Sequence, residues 1–314
     1  MSEAAKTVLL TGAAGFLGRH ALHRLLSLGH QVIAVTRREV DWPRLIGESL
    51  GGSQRNALPN PDRESDRFRA VHCDLTDERA VRDVVESVAP DWIWHLAGYA
   101  EGLPGAEHLL PSFHGDLRTT VNLLAASIGV VRERIVITGS LEEPDSFPAS
   151  SPYAVAKQAG VQYARACRDL YDLPVAVARV FMTYGPGQRE RKVIPYAIRC
   201  FLAGQAPQLG AGHRRVDWIY VDDVVDGLLA CSQQAAALDE PCELGSGHLV
   251  SIRDVIATIR ALMPGSPEAC FDSQPPRGQE RERAAQLATQ QRIGWRPQVS
   301  LTDGLRRTIA ALRG

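Results

Sequence analysis

The stretch Lys6-Thr-Val-Leu-Leu-Thr-Gly-Ala-Ala-Gly-Phe-Leu-Gly18 constrains the fold of this chain more than any other. Residues 7–10 read as a short buried strand, a glycine turn follows, and Leu17, Ala21, Leu25 and Leu28 then recur at helical spacing. Gly29 is a natural helix stop. Gly12, Gly15 and Gly18 stand where a dinucleotide needs them: one for the tight turn, one to let a pyrophosphate reach the backbone, one for close packing of helix on strand. The free N–H groups and positive dipole end of the helix then face the phosphates.

Composition narrows the class of partner. A formal charge of −1 over 314 residues supplies no basic field for nucleic acid and no acidic tail. The six cysteines lie far apart, without the paired spacing of a zinc or redox motif, and most read as inert core thiols. No metal is expected. Residues 8–18 are apolar behind a single lysine, yet cleavage there would delete the first strand, so they are not read as a signal peptide. No apolar run approaches the ~20 residues of a membrane helix. The expectation is a cytoplasmic protein.

Further along, residues 31–36 form a second apolar strand ending in Thr36-Arg37-Arg38. An acid at this point holds the ribose hydroxyl of NAD, whereas arginine accommodates the extra phosphate of NADP. Arg37 or Arg38 is therefore expected to select NADP, with NAD as the alternative. Residues 41–68, rich in Gly, Pro and charge, carry no assignable pattern. Third, fourth and fifth strands are expected at 69–74, 91–98 and 134–140. They deliver Asp74 toward the adenine edge, His95 as a packed histidine, and Ser140 to the same edge. Residues 116–127 have helical spacing. Short apolar strands alternating with helices predict an α/β fold with a parallel doubly wound sheet of Rossmann type, its site outside the strand carboxyl ends.

The second informative stretch is Ser150-Ser-Pro-Tyr-Ala-Val-Ala-Lys157. Serine followed by proline starts a helix, and Tyr153 and Lys157, four apart, share one face of it. A fixed ammonium neighbour is expected to lower the phenol pKa and make Tyr153 an acid/base. Ser140 can supply a second hydrogen bond to a substrate oxygen.

With these residues in place the chain resembles the extended short-chain dehydrogenase/reductase family, the nucleotide-sugar epimerase, dehydratase and reductase group. The likeness spans nearly the whole chain. It rests on Thr11 to Gly18, Cys73-Asp-Leu75, His95-Leu-Ala97, Tyr153 to Lys157, Arg179-Val-Phe-Met-Thr-Tyr-Gly-Pro-Gly187, Asp217-Trp-Ile-Tyr-Val-Asp-Asp-Val224 and Ile293-Gly-Trp-Arg-Pro297. The resemblance implies that Tyr153 is the general acid/base, that Lys157 orients the nicotinamide ribose, and that Ser140 is the third catalytic residue. It implies cofactor contacts from Gly12, Gly15, Phe16, Leu17, Gly18, Asp74, Leu75, Leu96 and Ala97. It further implies a cofactor domain over 1–184, to which about 216–245 return, a smaller α/β substrate domain over 185–314, and a homodimer through the helices flanking Tyr153.

Two departures touch the substrate end. Met182 stands where many relatives have asparagine, and Val216 where many have arginine. Arg214, Arg215, Arg277 or Arg281 are expected to take over the nucleotide diphosphate. Glu142, two past Ser140, keeps a 4,6-dehydratase in view, although Leu141 replaces the first member of that acidic pair. The basic Arg37-Arg38 site favours a reductase that uses NADPH on a 4-keto nucleotide sugar. A 4-epimerase holding NAD is the alternative. A nucleotide-sensing protein without turnover is a further one, disfavoured because Tyr153 and Lys157 are both present.

Overall fold

The computed structural model describes residues 4–42, 45, 67–144, 148–272 and 282–313. In chain order its strands are β1 (Thr7–Thr11), β2 (Gln31–Thr36), β3 (Phe68–His72), β4 (Trp92–His95), β5 (Arg134–Ser140), β6 (Val175–Val180), β7 (Met182–Tyr184), β8 (Gln208–Leu209), β9 (Arg215–Tyr220), β10 (Cys242–Leu244), β11 (Leu249–Ser251) and β12 (Cys270–Phe271). The helices used below are α1 (Phe16–Ser27), α2 (Glu78–Val88), α3 (Thr119–Ser127), α4 (Pro152–Tyr171), α5 (Val193–Leu202), α6 (Val221–Gln233), α7 (Ile252–Leu262), α8 (Leu287–Arg292) and α9 (Leu301–Arg313).

Seven strands form one parallel sheet in the order β10-β6-β5-β4-β1-β2-β3. Alternate residues of each strand feed opposite cores. Val8 and Leu10, with Trp94, Val136 and Ala178, pack on Ala21 and Leu25 of α1 and on Val224 and Leu228 of α6. Leu9, Ile33, Ile93 and Ile135 pack on Val85 of α2, Leu124 of α3 and Val161 of α4. Burial on both faces explains why the strands read as continuous apolar runs rather than as alternation. Each fully buried leucine or isoleucine here contributes about 1.5–3 kcal/mol. The expected doubly wound sheet is the fold observed. Its direction of winding reverses between β1 and β4, which places the binding crevice beyond their carboxyl ends.

A second layer holds the sheet β11-β9-β7 and the pair β12-β8. Ile194 and Ile198 of α5, Ile256 and Ile259 of α7, and Leu305 and Ile309 of α9 form its core. The chain leaves the large sheet at Phe181 to make β7, and it returns through α6 and β10; residues 215–220 form β9 of the small sheet. The helix start expected from serine followed by proline holds, and two further serines cap helices in the same way. Ser151 accepts from Ala154 N–H with Pro152 in the first turn, and Ser251 and Ser300 accept from Asp254 and Asp303 N–H. At the end of α1, Gly29 adopts φ +87°. Leu28 is the cap residue and is exposed rather than part of the apolar stripe.

One element departs from its expected form. Residues 116–127 are not a uniform helix: Phe113–Arg118 winds as a π turn before α3. Thr119 and Thr120 hydroxyls donate to the carbonyls of Gly115 and Asp116 at 2.8 and 2.6 Å, which loosens the ordinary ladder. No helix of the described residues is long and apolar enough to cross a membrane. Of the unassigned stretch 41–68, residues 43–44 and 46–66 lie outside the described residues, as do Arg277 and Arg281.

Candidate active site

The turn after β1 shows why glycine is required there. Gly15 N–H donates to Gly12 O at 2.8 Å, and Gly12 sits at φ +70°. A Cβ on Gly12 would come within 2.6 Å of Ala97 N, and one on Gly18 within 2.0 Å of Gly12 O. Helix α1 starts with neither a side-chain cap nor an acid in its first turn. Its first N–H groups and positive dipole end are thus available to an anion. This cradle fits a dinucleotide pyrophosphate, which Gly12, Gly15, Phe16, Leu17 and Gly18 would hold, with Leu96 forming the opposite wall of the same cleft. Ala97 N–H is tied to Thr11 Oγ1 at 3.2 Å, which fixes the end of β4 against the end of β1.

Toward the edge of the sheet, Asp74 follows β3. Its Oδ1 accepts from Thr76 N–H and Oγ–H, both at 2.9 Å. Those bonds, the backbone one above all, together with Arg37 and Arg118, hold its carboxyl below the usual range. Asn122 pins Leu75 O at 2.9 Å. Arg37 and Arg38 are both exposed beyond β2. The Arg37 charge already faces the Asp74 carboxylate.

The catalytic set stands across a cleft of about 980 Å³ that is lined by both layers. β5 delivers Ser140 and α4 delivers Tyr153 and Lys157 to that cleft. The Ser140 hydroxyl faces the Tyr153 phenol and acts to lower its pKa. Ser140 Oγ also accepts from Glu142 N–H at 3.1 Å. Lys157 Nζ donates to Thr138 O at 3.0 Å, lies 3.8 Å from Asp116 Oδ1, and is 5.9 Å from the centroid of the Tyr153 ring.

The expected acidification of the phenol is corrected here. Burial pushes the Tyr153 pKa up, and Asp116, Glu142 and Glu143 push the same way, against the Ser140 hydroxyl. The lysine does not reverse this because its ammonium is turned to Thr138 and Asp116. Sequence spacing placed the two side chains on one face but carried no information on the acids around them.

Asp116 is a residue that sequence reasoning missed. It is buried in the π turn, where Oδ1 accepts from Tyr99 N–H at 3.1 Å and Oδ2 has no partner among the described residues. Burial raises its pKa, opposed first by Lys157. His95 is a packed neutral histidine, held between Thr11 at 2.8 Å and Thr120 at 3.1 Å, its pKa pushed down to about 3 by burial and then by Lys157.

At the far end the cleft is lined by Met182, Arg189, Arg191, Lys192 and Arg214. Glu142 pairs with Arg214 at 3.1 Å and accepts from Ser150 Oγ at 3.1 Å. Leu141 beside it is buried, so no second acid is offered there. Glu101 is gripped by Arg189 at 3.1 Å and by Arg191. Arg215 does not join them: it is exposed on β9 and donates to Leu249 O at 3.2 Å. The basic run Arg189-Glu-Arg-Lys192 directly after Gly-Pro-Gly-Gln was the signal that could have located this end of the site.

A glycine cradle at the switch point of a doubly wound sheet, facing a serine, a tyrosine and a lysine in one cleft, defines a dinucleotide-dependent enzyme that works on an alcohol or carbonyl carbon. The chain belongs to the NAD-dependent epimerase/dehydratase family, whose model matches residues 8–245, and is of the extended short-chain dehydrogenase/reductase type. It is 29% identical to the UDP-glucose 4-epimerase of Mycolicibacterium smegmatis over 97% of this chain and 98% of the relative. Among solved structures it is similar to MoeE5 in complex with UDP-glucuronic acid and NAD, with a TM-score of 0.78, 26% identity, and coverage of 98% of this chain and 99% of that one. It is also similar to the Bordetella bronchiseptica enzyme WbmF in complex with NAD+ and UDP, with a TM-score of 0.77, 26% identity, and coverage of 99% and 93%.

Proposed function

We propose that the chain epimerises a nucleotide sugar at C4 with NAD held throughout, rather than reducing a 4-keto sugar with NADPH. The observation that carries this reading is the convergence of Ser140, Tyr153 and Lys157 on the cleft that also holds the glycine cradle, with Arg189, Arg191 and Lys192 in its lining as cations of the kind a diphosphate needs. The reductase expectation rested on Arg37 and Arg38. Both are exposed, and the charge of Arg37 is answered by Asp74. The 4-epimerase relative and the neighbours solved with NAD favour the other cofactor and the other reaction.

When bound, the oxidised nicotinamide supplies hydride acceptance and a positive charge of the sign that favours the phenolate. The chain's own residues handle the proton. Tyr153 takes it from the C4 hydroxyl and returns it, and Ser140 hydrogen-bonds the same oxygen. Lys157, anchored on Thr138 and Asp116, keeps a cation at that end of the cleft. Glu142, engaged by Arg214 and Ser150, is not free to serve as the acid that a dehydration requires.

Purified protein should interconvert UDP-glucose and UDP-galactose, followed by NMR, with no cofactor added, and should release NAD on denaturation. Stoichiometric NADPH consumption with a 4-keto nucleotide sugar, without interconversion, would overturn the reading. Fluorescence titration of cofactor-stripped protein is expected to give NADH at least about tenfold tighter than NADPH, a difference of ~1.4 kcal/mol. Arg37→Ala should change NADH affinity less than NADPH affinity.

A further inference from the structure

The acids and bases at the sugar end are paired in a way that bears on which sugar is accepted. Glu142 has both carboxylate oxygens engaged, one by Arg214 Nη2 at 3.1 Å and the other by Ser150 Oγ at 3.1 Å. The Glu142 and Arg214 side chains are only 16% and 13% exposed. Through its backbone N–H, Glu142 is also bonded to Ser140 Oγ at 3.1 Å, so this carboxylate is fixed two residues from the catalytic hydroxyl. On the other side of the cleft, Glu101 occupies Arg189 and Arg191 in the same manner. Arg214 thus already has an anion, supplied by the chain itself.

We infer that Glu142 is a specificity-determining residue that admits nucleotide sugars with an uncharged hexose and rejects those with a sugar carboxylate. The inference rests on the nucleotide-sugar reading above for placing the sugar beside Ser140 and Tyr153. A hydroxyl of a neutral sugar can donate to Glu142 without disturbing its pair. A uronate carboxylate has two routes, both unfavourable. It sits against Glu142 as a like charge, or it takes Arg214 and leaves a mostly buried Glu142 without its cation. Rejection by an unfavourable group is a direct way to separate two ligands of nearly equal shape.

The test is calorimetric binding of UDP-glucose and UDP-glucuronate to the NAD-loaded protein, wild type and Glu142→Gln. Wild type is expected to bind UDP-glucose at least about tenfold more tightly, a difference of ~1.4 kcal/mol. Glu142→Gln, which keeps the shape and removes the charge, should shrink that ratio to near unity by improving the uronate. Equal or tighter binding of UDP-glucuronate by wild type overturns the inference, and so does a Glu142→Gln protein that weakens both sugars equally. The wild-type ratio decides the matter if the variant does not fold. A preference for UDP-glucose without any interconversion defeats the epimerase reading alone. Failure of both sugars to bind at millimolar concentration, with NAD retained, overturns this inference together with the nucleotide-sugar reading.

Discussion

Tyr153→Phe is expected to lower kcat by about 10²–10⁴-fold, the contribution of a positioned acid/base, while NAD stays bound and KM changes little. The change removes one oxygen from a half-buried ring and leaves α4, its Ser151 cap and Lys157 in place. The phenol, whose proton burial among Asp116, Glu142 and Glu143 holds tightly, is neutral in the folded and the unfolded chain at neutral pH. Folding stability there should change by no more than about 1 kcal/mol, so lost turnover cannot be put down to unfolding. Interconversion read by NMR, alongside NAD content and thermal unfolding, separates the two effects. Full activity in this variant would remove Tyr153 from the mechanism. The same environment sets a second expectation. In cofactor-free protein the Tyr153 phenol resists ionisation at pH values where an ordinary tyrosine, with pKa near ~10, is half phenolate. Ultraviolet titration of wild type against Tyr153→Phe reads that difference directly.

How much of this was legible in the sequence depends on the range of the interaction involved. The glycine turn, the strand limits at Gln31–Thr36 and Arg134–Ser140, and the capped start of α4 are local, and the residues that make them lie within a few positions of one another. The fold class follows from the alternation of such elements. What sequence spacing could not supply is charge brought together across the fold. Tyr153 and Lys157 are four apart, yet the ammonium bonds Thr138, nineteen residues away, and faces Asp116 in a π turn with no periodic signature. Arg214 was named as a diphosphate ligand from its neighbourhood in the chain, while its partner Glu142 lies 72 residues away. Arg37 and Arg38 were read through their charge alone, and the neighbour that answers Arg37, Asp74, lies just beyond the end of the adjacent strand. The reading that the structure overturns, a phenol acidified by its lysine, was the one that treated a single charge as if it stood by itself.

The largest effect on stability is expected from Glu143→Ala, which should cost about 3–5 kcal/mol, the cost of breaking a buried ion pair from one side. Glu143 is buried behind the catalytic strand. Its Oε1 accepts from Ser140 N–H at 2.7 Å, and its Oε2 accepts from Arg179 Nε and Nη2 at 3.1 and 2.7 Å. Arg179 reaches on to Glu243 at 3.1 Å, and Glu243 in turn holds Arg283 and the Gln286 N–H that opens α8. Burial alone would depress the Arg179 pKa, but Glu143 and Glu243 outweigh it and keep the guanidinium charged. Truncation at Glu143 leaves that cation half-answered in the interior and leaves the Ser140 N–H without its acceptor. Urea denaturation should show the loss in the midpoint, and below the transition kcat should fall as well, because Ser140 is no longer held at the end of β5. Glu143→Gln retains an acceptor for Ser140 N–H and removes only the charge. It is expected to recover much of kcat while remaining less stable than wild type. If Glu143→Ala matched wild type in both midpoint and kcat, the charged network would be shown to carry neither the fold nor the placement of the catalytic serine.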